Sequence, residues 1–197
     1  MSPRSQEQFE VIRESRKRQI MDTALRLFAS EGYDHCSISM LAEQAGISKG
    51  LMYNYFNSKE ALLSEIIEDG MREVLNLFDP NHDGVLTSEE LESFIRRVFS
   101  AIRTNMEFWV LYISVLFQPG VRELLKEQQL IRYLERFTPI LTDYFRRKGF
   151  EDPELEMLTL SALIEGFGAL MIYAYPSMKI PDELIGKFEN RIIGMYK

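Results

Sequence analysis

The sequence predicts an all-α protein. Apolar residues recur at intervals of three and four throughout the 197-residue chain, and no segment sustains the apolar and polar alternation of a β-strand. Apolar residues make up 46% of the chain, which is enough to build a hydrophobic core. Glycine and proline residues divide the apolar pattern into segments of helical length, so we expect about nine or ten helices.

The first three predicted helices lie near the N-terminus. A first amphipathic helix is expected to end near Gly32, because glycine commonly terminates helices. Ser37 can cap a short second helix, and Ser48 can cap a third helix that runs through Tyr55. Gly46 stands between the second and third helices, where it predicts a tight turn.

The later helices follow from the same signals. A long helix from about residue 58 is predicted to end at a loop over residues 79–90. Gly149 and Pro153 separate two further helices, because glycine ends helices and proline is favoured at their first position. The remaining helical segments are predicted over residues 91–102, up to Lys148, over residues 154–175 and up to about Tyr196.

The net charge of −7 is unusual for a DNA-binding protein, but it is unevenly distributed. Residues 1–60 contain eight basic and eight acidic residues (8 − 8 = 0), and residues 61–197 contribute 15 − 22 = −7. A local basic patch matters more for DNA binding than the total charge, although solvated helix ends would explain the same residues. Four basic residues lie just before the first predicted helix, and we call them the basic cluster: Arg13, Arg16, Lys17 and Arg18.

The cellular compartment is predicted from three features. Cys36 is the single cysteine, so no intrachain disulfide can form, as is usual in the reducing cytosol. The N-terminus lacks the apolar core of a signal peptide. The longest apolar stretch, residues 108–117, is too short to span a bilayer. We therefore expect a cytoplasmic protein.

The second and third helices have the spacing of a helix-turn-helix, whose second helix enters the DNA major groove. Met52, Tyr55 and Phe56 recur at intervals of three and four, so they can pack inward. The other positions then point outward, and an exposed Leu and Tyr are unusual on a soluble helix without a partner. The candidate DNA contacts are Ser48, Lys49, Leu51, Tyr53 and Asn54, with Ser37 and Lys59 as phosphate contacts at helix N-termini.

Three runs of residues carry a resemblance to a known family. They are Ala-Leu-Arg-Leu-Phe-Ala-Ser-Glu-Gly-Tyr at 24–33, Leu-Ala-Glu-Gln-Ala-Gly-Ile-Ser-Lys-Gly at 41–50 and Tyr-Asn-Tyr-Phe-Asn-Ser-Lys-Glu-Ala-Leu-Leu at 53–63. With these runs, the stretch from Arg16 to Leu63 resembles the TetR family of transcriptional regulators.

This resemblance implies a helix-turn-helix DNA-binding domain over residues 1–57 and a helical effector-binding and dimerisation domain over residues 58–197. It also implies a homodimer that binds double-stranded operator DNA of palindromic sequence. A small-molecule effector would release that DNA, as in a repressor. Leu51 differs from the small polar residue often found at this position in the family, which affects the expected operator sequence.

Residues 79–90 match the fixed positions of a calcium-binding EF-hand loop. Such a loop needs oxygen ligands at positions 1, 3, 5, 7, 9 and 12 and a glycine at position 6 for its sharp turn. Gly84 occupies position 6, and helices are predicted on both sides of the loop. The candidate Ca²⁺ ligands are Asp79, Asn81, Asp83, the carbonyl of Val85, Thr87 and Glu90.

The same loop has a purely structural interpretation. Thr87 and Glu90 match the capping box of the following helix, and Asp-Pro and Asp-Gly are ordinary turn formers. Capping does not explain three oxygen side chains at alternate positions. EF-hands usually pair, however, and the sequence has no second loop of this kind. The alternative to a DNA-binding regulator is therefore a calcium sensor or buffer without a DNA role.

The effector pocket and the dimer face are predicted from the family resemblance. Glu165 is an isolated carboxylate in an apolar helix, where it can meet a ligand or the second subunit. Gly166, Gly168 and Ala169 permit the close approach of another helix. The candidates for the pocket are aromatic residues, for which ordinary core packing is the alternative: Trp109, Tyr112, Phe137 and Phe167.

No enzymatic site is predicted. The chain contains two histidines, and it lacks paired carboxylates and a phosphate-binding loop. We expect neither an organic cofactor nor catalysis.

Overall fold

A computed structural model of the chain describes residues 6–126, 129–174 and 180–196, and within them it contains ten α-helices and no β-strand. The all-α fold predicted from the apolar spacing is therefore confirmed. The helices are α1 (Gln6–Glu31), α2 (Ile38–Gln44), α3 (Lys49–Tyr55), α4 (Lys59–Phe78), α5 (Ser88–Thr104), α6 (Met106–Leu116), α7 (Pro119–Lys126), α8 (Gln129–Arg147), α9 (Pro153–Ala174) and α10 (Asp182–Met195).

α1 begins well before the first buried position of its apolar pattern, Ile20. Its sequence has no glycine or proline before Gly32, and its N-terminal part is rich in good helix formers. The basic cluster therefore lies within α1, whereas the sequence placed it ahead of the first helix. α1 ends where Gly32 adopts a φ of +88° and donates its N–H to the carbonyl of Phe28 at 3.1 Å.

Contacts between residues divide the chain into two compact units. The N-terminal unit contains residues 1–70 and 111–126, and the C-terminal unit contains residues 71–110 and 127–197. α4 and α6 each continue from one unit into the other. The N-terminal unit is larger than the DNA-binding domain that we expected over residues 1–57, and that domain boundary stays a prediction.

Apolar side chains from the first four helices form the core of the N-terminal unit. Phe28 of α1, Leu41 of α2, Met52 of α3 and Leu62 of α4 are completely or almost completely buried. Burying one such side chain contributes about 1.5–3 kcal/mol to stability. This shared core therefore fixes the short helices α2 and α3 against α1 and α4.

α5, α8, α9 and α10 pack together in the C-terminal unit. Their core contains the rings of Phe78 and Phe137, whose centroids are 4.4 Å apart. The buried carboxylate of Glu189 accepts a hydrogen bond from Arg103 at 3.0 Å, which joins α10 to α5. Such a partner is needed because a carboxylate that loses its water is otherwise strongly destabilising.

α9 carries a stripe of exposed apolar residues. Leu155, Leu158 and Leu170 are each more than half exposed, and Ala162 and Gly166 lie between them at helical spacing. We call these five residues the α9 stripe. Neither α9 nor any other helix in the described part of the chain is long and apolar enough to cross a membrane.

Candidate nucleic-acid interface

α2 and α3 form a helix-turn-helix in which a serine caps each helix. The Ser37 hydroxyl accepts a hydrogen bond from the N–H of Met40 at 3.3 Å, and the Ser48 hydroxyl accepts one from the N–H of Leu51 at 3.1 Å. Gly46, in the turn, has a φ of +66°, which residues other than glycine rarely adopt. Each serine keeps its own O–H donor, so a phosphate contact by Ser37 and a DNA contact by Ser48 both stay chemically possible.

One side of α3 is buried and the other is exposed. Met52 is completely buried, and Phe56, where α3 ends, is buried as well. Leu51 and Tyr53 are 39% and 45% exposed, so two large side chains of this short helix lie at the surface. This surface combines an apolar group, an aromatic hydroxyl, a cation and an amide, which together suit DNA. We call it the recognition surface, and it comprises Ser48, Lys49, Leu51, Tyr53 and Asn54.

Lys59 differs from the other predicted DNA contacts. Its ammonium donates to the carbonyl of Tyr33 at 2.9 Å and lies 4.1 Å from the centre of the Tyr33 ring. Burial and the neighbouring Glu60 carboxylate raise the pKa of the Tyr33 hydroxyl, which keeps it protonated. The Lys59 ammonium is therefore used inside the N-terminal unit to hold the connection between α1 and α2. Two of the three donors of this ammonium have no part in its bond to the Tyr33 carbonyl, so the predicted phosphate contact of Lys59 stays a prediction.

The basic cluster is divided between structural and exposed residues. Lys17 forms an ion pair with Glu65 of α4 at 2.6 Å, and Arg18 forms one with Asp69 of the same helix at 3.1 Å. These two cations hold α1 against α4. The sequence alone did not distinguish the four basic residues, because Glu65 and Asp69 are about 50 positions away along the chain.

Gln118 is a residue that sequence analysis did not single out. It lies between α6 and α7, and its side chain is hydrogen-bonded to backbone groups of Phe28 and Tyr33 at the end of α1. The connection between α6 and α7 is thereby tied to the segment that leads into the helix-turn-helix. No local sequence pattern marks this role.

Residues 20–66 match the sequence profile of the family described as bacterial regulatory proteins, tetR family. This match contains α2 and α3 together with parts of α1 and α4. Residues 20–66 are therefore a domain of this family, which we call the TetR-family domain. The resemblance found over Arg16 to Leu63 is confirmed for this part of the chain, and the predicted calcium loop lies outside it.

Relatives of known sequence and structure agree with this assignment. The chain is 33% identical over 113 residues to the uncharacterized HTH-type transcriptional regulator YerO of Bacillus subtilis, a match that covers 55% of this chain and 39% of YerO. It is 26% identical over 127 residues to the fatty acid metabolism regulator protein of the same organism, covering 64% of this chain and 66% of the relative. These relatives are regulators, in agreement with the expectation of a non-enzymatic function.

The fold of the whole chain is also similar to solved structures. The FadR transcriptional regulator from Bacillus subtilis, solved in complex with stearoyl-CoA, superposes with a TM-score of 0.67 at 21% sequence identity. This similarity covers 90% of the present chain and 96% of FadR. The TetR-family domain is thus followed by a helical C-terminal part, as the sequence predicted.

The EF-hand-like loop, residues 79–90, connects α4 to α5 outside the TetR-family domain. Gly84 has a φ of +73°, as the sharp turn at loop position 6 requires. The Asp83 carboxylate accepts the N–H of Val85 at 2.8 Å, and the Asn81 side-chain oxygen accepts the N–H of Asp83 at 3.3 Å. The oxygen side chains at alternate positions therefore close successive turns of the loop.

The end of the loop is a helix cap. The Thr87 hydroxyl accepts the N–H of Glu90 at 3.2 Å, and the Glu90 carboxylate accepts the N–H of Thr87 at 2.9 Å. This is the capping box that the structural interpretation requires. The described part of the chain contains no group of three His, Cys, Asp or Glu residues arranged to hold a metal ion. Calcium binding therefore stays a prediction.

Neither the turns nor the capping box accounts for the burial of the Asp79 side chain. This side chain is only 8% exposed, and its buried Oδ1 atom has no hydrogen-bond partner among the described residues. A buried carboxylate oxygen without a partner is destabilising, because the oxygen has lost its water and gained nothing in return. A bound cation would supply the missing partner, so the chemistry of the loop fits Ca²⁺ at this position.

Tyr112, a predicted pocket residue, has a specific structural contact in the N-terminal unit. Its buried hydroxyl donates to the carbonyl of Ile67 in α4 at 2.9 Å. Its ring lies against Gly70, where an added Cβ atom would come within 2.6 Å of the ring. This hydroxyl joins α6 to α4, and the effector-binding role of Tyr112 stays a prediction.

The other three pocket candidates lie in the C-terminal unit. Trp109 is buried. Phe137 packs against Phe78, and Phe167 stacks on Phe188 with their ring centroids 4.2 Å apart. These contacts are those of ordinary core residues, which was the alternative for each candidate. An effector-binding role for them stays a prediction.

Proposed function

We propose that the chain is a transcriptional repressor that binds a palindromic operator as a homodimer and is released by a small-molecule effector. The observation that supports this most strongly is the exposed recognition surface on α3 of the TetR-family domain. Leu51 and Tyr53 remain open to solvent there, while the opposite side of the same helix is buried.

Each side chain of the recognition surface has a matching group on DNA. Leu51 suits the methyl group of thymine, because both are apolar. Lys49 and Asn54 suit acceptor groups on base edges in the major groove. The Tyr53 hydroxyl suits a phosphate oxygen, which fixes the position of the helix without selecting a sequence.

A second copy of the chain is the proposed partner of α9 and α10. The α9 stripe is apolar, and α10 exposes Leu184 and Met195. Apart from the nearby backbone of α9, no atom of the described residues lies within 4 Å of the position that a Cβ would take at Gly166, so another helix can approach there. Such a face would be self-complementary about a two-fold axis, and a two-fold dimer matches a palindromic site.

Glu165 lies within this proposed dimer face. It is exposed on α9, yet partial burial among its neighbours raises the pKa of its carboxyl. A cation of the second copy would restore the charged form, and α10 exposes Lys187 and Arg191. We therefore favour a contact across the dimer over a contact with the effector.

A long-chain acyl-CoA is the effector that we propose to test first. The B. subtilis fatty acid metabolism regulator is a relative over 64% of this chain, and FadR with its stearoyl-CoA has a similar fold. Stearoyl-CoA should weaken operator binding by the purified protein, whereas free CoA at the same concentration should not.

The test of DNA binding begins with genomic selection of DNA by the purified protein. Lys49→Ala and Tyr53→Ala should each weaken binding to the selected duplex by about 1–3 kcal/mol, if the two side chains touch bases or phosphates. Arg97→Ala is the matched control, because Arg97 is exposed on α5 of the C-terminal unit. Wild-type affinity in both recognition variants, with their fold intact, would overturn this proposal.

We also propose a calcium site in the loop between α4 and α5, and the orphaned oxygen of Asp79 is the observation that favours it. Asp79, Asn81, Asp83, the Val85 carbonyl and Glu90 would bind the ion directly, with Thr87 as a direct or water-mediated ligand. Glu90 would have to release the N–H of Thr87, while the Thr87 hydroxyl would continue to cap α5.

Calorimetric titration with Ca²⁺ tests this site. Binding heat and a higher unfolding temperature are expected, because a ligand that binds only the folded state stabilises it by mass action. Neither effect at millimolar Ca²⁺ would mean that the loop only connects two helices. Calcium control of transcription would further require operator affinities that differ between Ca²⁺ and chelator at matched ionic strength.

A further inference from the structure

The N-terminal part of α1 extends beyond the family match. The match begins at residue 20, and α1 begins at Gln6. Residues 8–15 are all exposed, including Phe9, Val11 and Ile12, which are 57%, 66% and 47% exposed. A helical segment that buries so little is only marginally stable by itself, so it is expected to have a partner.

One face of this extension leads to the helix-turn-helix. Arg13, Arg16 and Ile20 follow one another at intervals of three and four, so they share the face on which Ile20 is buried. Arg16 donates to the carbonyl of Ala45, in the turn between α2 and α3, at 3.3 Å. The Arg13 guanidinium lies 6.0 Å from the centre of the Tyr55 ring, at the end of α3.

The four cations of the basic cluster therefore have different positions. Lys17 and Arg18 are paired with carboxylates of α4, and Arg16 holds the turn of the helix-turn-helix. Arg13 is exposed, and among the described residues it forms no ion pair. The Tyr55 ring lies beside its charge at the end of α3, at the outer limit of a cation–π interaction.

We propose that Arg13 binds a DNA phosphate next to the groove that α3 enters, and that the first turns of α1 are an accessory DNA-binding element. This inference rests on the proposed function. A helix in the major groove has a phosphate backbone on either side, and a cation held at the end of that helix meets one of them. Glu10 and Glu14 flank Arg13 and repel phosphate, which limits the contact to the single arginine.

The experiment measures binding to the duplex selected by the wild-type protein, and to a scrambled duplex, at several salt concentrations. Arg13→Ala should weaken binding to both duplexes about tenfold and reduce the salt slope by about 1, because one phosphate contact is lost. Arg13→Lys should keep most of the affinity, since a phosphate accepts either cation. Glu14→Gln should strengthen binding to both duplexes.

Arg18→Ala is the matched control, because Arg18 lies on the same helix and its charge is already paired with Asp69. It should leave the salt slope unchanged. Wild-type affinity and slope in Arg13→Ala, or an equal loss in Arg18→Ala, would overturn the inference. If the wild-type protein selects no DNA sequence, the proposed function itself fails, and this outcome is distinguishable from the failure of Arg13 alone.

Discussion

The side-chain carboxamide of Gln118 accepts a hydrogen bond from the backbone N–H of Tyr33 at 2.6 Å. The same carboxamide donates to the carbonyl of Phe28 at 2.8 Å. One side chain thus satisfies a donor and an acceptor at the end of α1. Because Tyr33 is buried, its N–H depends on this single partner in the folded protein.

Replacing Gln118 should therefore destabilise the N-terminal unit. Gln118→Ala leaves the N–H of Tyr33 without its partner, which costs about 1–3 kcal/mol. The Phe28 carbonyl is less affected, because it also accepts the N–H of Gly32. Urea unfolding measures the loss, with Ser114→Ala as the control, since the Ser114 hydroxyl bonds only within α6. Equal stability of the two variants would contradict the role of Gln118.

The contact between Gly70 and Tyr112 gives a second prediction. Alanine is normally preferred over glycine inside a helix by about 1 kcal/mol, but a Cβ at position 70 would lie 2.6 Å from the Tyr112 ring. Gly70→Ala should therefore destabilise the wild-type protein. In a Tyr112→Leu background, the same change should become neutral or stabilising. Thermal unfolding of the two single variants and the double variant completes the cycle.

Gly186→Ala is the control for this cycle, because in the described part of the chain only the nearby backbone of α10 itself lies within 4 Å of a Cβ at that position. It should increase stability by about 0.5–1 kcal/mol. Additive effects of Gly70→Ala and Tyr112→Leu would show that the two residues do not interact.

Two substitutions separate helix capping by the EF-hand-like loop from its proposed binding of Ca²⁺. Thr87→Ala should cost about 1 kcal/mol in chelator, because it removes the N-cap of α5, and more in Ca²⁺, because it also removes a proposed ligand. Glu90→Gln should keep the cap, since glutamine also serves at this position, but it should abolish stabilisation by Ca²⁺. Unfolding curves in Ca²⁺ and in chelator measure both effects. Undiminished calcium stabilisation in Glu90→Gln would exclude Glu90 as a ligand.

The proposed dimer predicts the effect of a large charged residue in the α9 stripe. Gly166→Arg should produce monomers that lose operator binding, because the arginine would occupy the space open to the second copy. Ser100→Arg, on an exposed position of α5, is the control and should remain dimeric. Sedimentation velocity measures both proteins. A monomeric wild type, or a dimeric Gly166→Arg, would refute the proposed face.

Local chemistry made the helix-turn-helix predictable from the sequence. Ser37 and Ser48 cap the helices that immediately follow them, and Gly46 adopts the backbone conformation that it alone tolerates well. All of these signals act within a few residues. The capping box of Thr87 and Glu90 was predictable for the same reason.

Other parts of the structure could not be predicted in this way. Lys59 is engaged by the Tyr33 carbonyl and Tyr112 by the Ile67 carbonyl, and no periodicity reports contacts between residues so far apart. The N-terminal extension of α1 was missed for a different reason. Helical periodicity marks a helix by its buried face, and residues 8–15 bury none.

The bond between Gln118 and Tyr33 also has a consequence for synthesis. Ribosomes make the helix-turn-helix first, but Gln118 follows Tyr33 by 85 residues. At about 5–20 residues per second, about 4–17 s pass between the synthesis of Tyr33 and that of Gln118. Until the segment between α6 and α7 has left the ribosome, the N–H of Tyr33 lacks this partner. The helix-turn-helix of such a nascent chain should therefore unfold more readily than that of the finished protein.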